Sequence, residues 1–264
     1  MRLSLSRYAA NKRVMITNIQ KHIKYSLLLL GLISSPSQAF EWMSNNIQYL
    51  HGSGYLLGSS SRDIITLEHS DGWKYGQNFF FIDTINHENK LDPVSWEAYG
   101  EAYSYFSASK ITGQSSPISA IKDIGLTLGF NAGSQPSRPF RAYLAGITIQ
   151  TNWSIFQFLQ IDVLAYKNEQ RPQTTFQITP VWELPFSIGN TLFRFRGFMD
   201  YIGAGGSGPS DTILFQPQLL LDVGAFMGYK NQFLVGSEYQ YWHHKFGLST
   251  FNESLPQALI MFRF

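Results

Sequence analysis

Between Asn46 and Phe264 the chain reads as about twelve segments of roughly ten residues in which apolar and polar side chains alternate. They lie near 46–58, 62–71, 76–86, 95–108, 121–133, 138–151, 154–168, 174–186, 191–204, 212–226, 232–246 and 255–264. A period of two sends successive side chains to opposite faces of an extended strand. In the last segment (SLPQALIMFRF), Phe264, Phe262, Ile260 and Ala258 share one face, and Arg263, Met261, Leu259 and Gln257 the other. Chain ends are usually frayed and polar, whereas a closed barrel in a membrane needs a final strand that pairs with the first. Gly, Pro, Asn and Ser turns separate the segments, and none carries a helical period. The pattern predicts an all-β fold, a transmembrane antiparallel β-barrel of about 12 strands.

The N-terminal 39 residues read differently. They contain no Asp or Glu, carry Arg2, Arg7, Lys12, Arg13, Lys21 and Lys24, and run into the apolar block Tyr25 to Ile33 before Pro36, Ser37, Gln38 and Ala39. A basic region, a short apolar core and a small-residue ending make a secretory signal peptide, cleaved after Ala39, with Met15 an alternative start. The apolar block falls short of the ~20 residues that span a bilayer. Residues 40–264 then form a single barrel domain. The whole chain has 20 Lys+Arg and 18 Asp+Glu; losing the six leader cations leaves a net charge of about −4. The remaining cations are dispersed, which argues against nucleic acid as a partner. The absence of cysteine excludes a disulfide scaffold and a thiolate site. Aromatic residues reach 16% while mean hydropathy is only −0.12, as expected where every second residue faces water inside a barrel.

Charge sorts the faces, because a charge on the lipid side costs a few kcal/mol. Arg194, Arg196, Phe198 and Asp200 should face the lumen against an outward Phe193, Phe195, Gly197, Met199 and Tyr201. Gln216, Gln218 and Asp222 should be inward, with a bulge at Pro217; so should Gln160, Asp162 and Tyr166. Asp83 takes Phe79 and Phe81 inward with it, Glu97 takes Tyr99, Glu101, Tyr103 and Tyr105, and Glu238 takes Gln240 and Trp242. The links at Ser59–Ser61, Trp73–Tyr75, Gln135–Ser137, Asn190 and Asn231 are short, while His87–Val94, Ser109–Ala120 and Gly205–Asp211 are longer, which suggests short turns at one end and longer loops at the other.

An aromatic lumen carrying carboxylates and amides suits a flat, polar, neutral or cationic solute, such as a nucleoside or sugar. Phe79, Phe81, Tyr99, Tyr103 and Trp242 are candidates to stack it, and Asp83, Glu97, Glu101, Asp200 and Glu238 to accept its hydrogen bonds. Arg194 and Arg196 offer a local anion site. Neither a cofactor nor a metal is implied.

The run RDIITLEHSDGWKYGQNFFFID, ending at Asp83, sets an inward Glu68 before a Gly72 turn and an aromatic strand closing on Asp83. It resembles the second and third strands of the nucleoside-specific channel-forming outer-membrane proteins of the Tsx/OmpK type, as does Gly197–Phe198–Met199–Asp200–Tyr201 with a recurrent strand of theirs. Trp42 soon after the leader agrees. The chain departs from that family in the fourth strand (WEAYGEAYSYF), which lacks a Pro-Arg pair, and in ending FRF. The resemblance implies a monomeric, non-enzymatic diffusion channel for nucleosides in the cell outer membrane, surrounded by lipid and lipopolysaccharide. Two alternatives stand beside it. One is an outer-membrane hydrolase acting on lipid or peptide, for which His243–His244 near Glu238, and His69 with Asp71, are the candidates; adjacent histidines on a strand would point to opposite faces, and no G-x-S-x-G or H-E-x-x-H pattern occurs. The other is a plugged structural or adhesive barrel.

Overall fold

In the computed structural model, which describes residues 40–87, 96–134 and 140–264, the alternating segments become twelve strands. They are β1 (Phe40–Ser53), β2 (Ser61–Trp73), β3 (Gly76–His87), β4 (Trp96–Ser107), β5 (Ile121–Gly133), β6 (Phe140–Thr151), β7 (Phe158–Asn168), β8 (Thr175–Ile188), β9 (Thr191–Ile202), β10 (Thr212–Asp222), β11 (Phe233–His243) and β12 (Glu253–Arg263). Each strand pairs with its sequence neighbours, and β12 pairs with β1 to close the barrel. The closing register runs antiparallel from Asn46 opposite Arg263 to Gly52 opposite Gln257. The expected leader and the links at 88–94 and 135–137 lie outside the described residues.

Burial is inverted relative to a water-soluble domain. Asn46, Gln48, Gln177, Gln218, Glu238 and Gln257 are buried inside, while the alternate positions Ile47, Leu126, Leu128, Ile147, Leu219 and Ile260 are exposed outside. The inward sets expected for β3, β4, β7, β9, β10 and β11 share this inner face. Outward aromatic pairs gather toward both ends of the strands. Trp73 with Phe106, Phe186 with Phe193, and Phe262 with Phe264 lie toward the rim that holds Phe40 and Arg263, here called proximal. Phe130 with Tyr143 and Phe176 with Tyr201 lie toward the opposite, distal rim. An aliphatic band between two aromatic girdles is the surface a barrel presents to lipid, and so much contiguous apolar area is unstable in water.

Two local expectations fail. Pro217 causes no bulge: β9 and β10 stay in register through Pro217 opposite Gly197. Gly197 absorbs the proline instead, with φ at +150° and an added Cβ 2.4 Å from the Gln216 carbonyl oxygen, a geometry only glycine accepts. Nor do short and long links segregate by end. The long link after β4, which opens with a one-turn helix (Ala108–Thr112), lies at the proximal rim beside the two-residue turns, while Ser59–Ser61 lies at the distal rim. Strand count fixes which rim a link occupies, and link length does not follow it.

Leu128 is 56% exposed at the middle of β5. Leu128→Arg should lower stability by ~2–4 kcal/mol in urea titrations from phospholipid vesicles, the cost of a charge at mid-bilayer; a value near zero would mean that this face meets water.

Candidate functional site

The lumen is filled unevenly. Leu50, Leu220, Leu234, Leu259 and Met261 form an apolar cluster inside β1 and β10–β12, and Ala142, Leu144, Leu164 and Tyr166 a second one inside β6 and β7. Partial exposure persists on the inner faces of β3 and β4, at Phe79, Phe81, Asp83, Glu97, Tyr99, Glu101 and Tyr103, and at Phe140, Phe198 and Gln216. These residues outline an aromatic and acidic cleft. Ring centroids step along its wall from Phe79 to Phe81 (6.2 Å), Phe81 to Tyr99 (6.0 Å) and Tyr99 to Phe140 (6.0 Å).

The tyrosines lie flat because the neighbouring strand makes room for them. β5 offers Gly125, Gly129 and Gly133 to β4: an added Cβ would stand 2.5 Å from the Tyr103 ring at Gly129, 2.6 Å from Tyr105 at Gly125 and 3.4 Å from Tyr99 at Gly133. The rings occupy the positions those side chains would take, so they face the wall rather than cross the lumen. Their hydroxyls then clamp one carboxylate, with Tyr99 donating to Glu101 Oε1 at 2.6 Å and Tyr103 to Oε2 at 2.7 Å. Across β3, Asp83 Oδ1 accepts from Thr66 at 2.6 Å. Each carboxylate retains acceptor lone pairs beyond these bonds.

The remaining candidates divide. Asp200 is buried, accepting from Thr179 and Gln177 at 2.5 and 3.0 Å. Glu238 is buried too, accepting from Gln216 and Gln218 at 2.8 Å and from Gln257 at 2.9 Å, so the wall encloses it. Arg194 lies toward the proximal rim, ion-paired with Glu183 and donating to Gln157 and Asn231 at 3.0 and 2.8 Å. A cavity of about 310 Å³ beside it is lined by Ser187, Asp222, Lys230 and Asn231. Arg196 crosses to Glu68 on β2, at 2.7 and 2.9 Å. The sequence places Glu68 inward but does not mark it as a site residue, because its partner Arg196 lies 128 residues away.

Trp242 belongs to a distal roof and not to the cleft. Its Nε1 donates to Thr212 at 3.0 Å, and its ring packs edge-on against Phe246. The β1–β2 link folds back so that Tyr55 donates to Gln257 at 2.5 Å, and Leu56 N donates to Glu253 at 2.8 Å. Lys245, 1% exposed, pairs with Glu253 and sits 4.8 Å over the Trp242 ring. Arg171 ties the β7–β8 and β9–β10 links through the carbonyls of Gly203, Pro209 and Ser210. His243 and His244 do not oppose each other as a strand would require. β11 ends at His243, His244 turns to φ +47°, and the ring centroids lie 3.7 Å apart at a 31° tilt, with His244 Nδ1 3.0 Å from the Asp211 carbonyl. Both nitrogens of His69 are engaged, by Asn45 at 2.7 Å and Asp71 at 3.0 Å, so neither faces a hydroxyl nucleophile.

No protein-family profile and no curated protein sequence matches the chain. Among solved structures, the KdgM porin in complex with disordered oligogalacturonate and the KdgM porin alone are each 11% identical over 83% of this chain and 99% of that one, with a TM-score of 0.47. The translocator domain of the autotransporter NalP from Neisseria meningitidis is 10% identical over 94% of this chain and 96% of that one, with a TM-score of 0.27.

Two outcomes test this interior. Gly129→Val forces the Tyr103 ring off the wall and should cost about 1–3 kcal/mol by overpacking; Gly129→Val combined with Tyr103→Ala should cost less than the separate losses added together, as contacting sites do. In the roof, burial pushes the Lys245 ammonium down to about 8. The unfolded chain keeps that proton to about 10.4, so between these values it binds more protons than the folded barrel and stability rises with pH. The urea midpoint should climb from pH 8 to 10, and Lys245→Met should remove that part of the climb.

Proposed function

We propose that the chain is an outer-membrane channel through which small polar solutes diffuse, with nucleosides the leading solute class. The carrying observation is the partly exposed cleft inside a closed barrel, where the faces of Phe79, Phe81 and Tyr99 stand beside the carboxylates of Asp83 and Glu101. A base could stack on these rings for about 1–3 kcal/mol each, while its amino group and the ribose hydroxyls donate to the carboxylates. Such a site holds a solute through several modest contacts, which suits passage better than capture. The resemblance of the β2–β3 hairpin to nucleoside channels supports the same solute class. The barrel acts as a monomer in lipid and lipopolysaccharide after loss of its leader, and needs no cofactor.

One observation favours a second reading, a plugged barrel: Arg196 and Glu68 meet across the lumen beneath the distal roof. Single-channel recording of refolded protein in planar bilayers separates the two. We expect a small current that adenosine and thymidine block saturably and glucose does not, with Phe81→Ala weakening the block about tenfold, as loss of one stacking partner implies. A pore indifferent to all three solutes removes the nucleoside reading, and absence of current favours the plug.

A further inference from the structure

Resting on the channel reading above, we infer that the Arg196–Glu68 pair is the lumen's constriction, a neutral bar that sets the bore and adds no net charge of its own to the path beside it. β2 and β9 are separated by five steps around the ring in one direction and seven in the other, so the two side chains approach from nearly opposite walls. Arg196 Nη2 reaches both Glu68 carboxylate oxygens, at 2.7 and 2.9 Å, with side chains only 13% and 15% exposed.

Each arm is braced. Glu68 Oε1 also receives Asn46 at 2.8 Å and Oε2 receives Gln48 at 3.5 Å, both from β1. Arg196 Nη1 lies 4.0 Å from the sulfur of the fully buried Met261. Gln48 accepts from Gln218 at 3.0 Å, which fastens the same brace to β10. The bar therefore seals off the side of β1 and β10–β12, already packed with side chains, and leaves passage to the aromatic cleft of β3 and β4.

A braced Arg–carboxylate pair presents little net charge to a passing ion, and its hydrogen bonds, ionised on both sides, are stronger than neutral ones. Removing one partner leaves an uncompensated charge at the narrowest point. The bar thus makes a prediction about sign that bulk alone would not.

The experiment compares single-channel conductance and reversal potential, in asymmetric potassium chloride, for the wild-type barrel and four variants: Arg196→Gln, Glu68→Gln, both together, and the exchange Arg196→Glu with Glu68→Arg. Each is first shown to be folded by its heat-dependent electrophoretic mobility. We expect Arg196→Gln to shift the reversal potential toward cations and Glu68→Gln toward anions. The double neutral variant should conduct several-fold more than wild type, and the exchange should return near the wild-type bore. Wild-type conductance and reversal potential in the double neutral and both single variants would overturn the inference while leaving the channel intact. Absence of current in the wild type and all folded variants would overturn the channel reading and this inference with it. Persistent nucleoside block with unchanged reversal potentials would overturn the inference alone.

Discussion

Backbone pairing in hydrocarbon is the constraint from which the rest of the structure follows. A peptide N–H or C=O facing lipid has no water to turn to, so a strand wall in a bilayer must close upon itself. Here closure falls to β1 and β12, whose pairing from Asn46 to Gly52 removes both sheet edges. Closure also forces alternation, since every strand then separates lipid from lumen along its whole length. The inverted burial of this barrel, with glutamines inside and isoleucines outside, follows from that separation.

This is why the fold was legible in the sequence. Twelve alternating segments and the faces of β3, β4, β7, β9, β10 and β11 follow from a period of two and from the cost of a charge in lipid, both local properties. Pro217 shows where local reading ends: the residue that accommodates it, Gly197, lies on the neighbouring strand, and only the register pairs them. His244 is similar, since a left-handed turn just past the end of β11 brings two rings together that a continued strand would separate.

The candidate site was legible by face but not by depth. Phe79, Phe81, Asp83, Tyr99, Glu101 and Tyr103 come together because they occupy adjacent strands, β3 and β4, which pair antiparallel from Gly76 opposite Phe106 to Asn86 opposite Trp96. Glu238 and Asp200 face the same lumen but are buried among amides and hydroxyls of their own wall. Arg194 and Trp242 stand toward opposite rims. The contact of Arg196 with Glu68, separated by 128 residues, depends on which strands stand opposite in a ring of twelve. Strand tilt and stagger set that relation, and neither is written in any single strand. The glycines of β5 carried a signal that could have been found: their spacing of four matches that of Tyr99 and Tyr103 on the strand before them.

A lumen this polar raises the question of why it is not simply filled with leucine. Two apolar clusters show that the chain can do so, inside β1 and β10–β12 and again inside β6 and β7. Between them run amides and carboxylates whose burial costs free energy unless every partner is supplied. Glu238, held by three glutamines, and Glu101, held by two tyrosines, meet that condition. The difference between them is exposure: the glutamine cage encloses its carboxylate, whereas the tyrosine clamp leaves Glu101 at the edge of the cleft. A network satisfied on one side and accessible on the other can accept a solute's donors without first breaking its own bonds. That arrangement separates the carboxylates that hold the barrel's shape from those with acceptor capacity left for something passing through it.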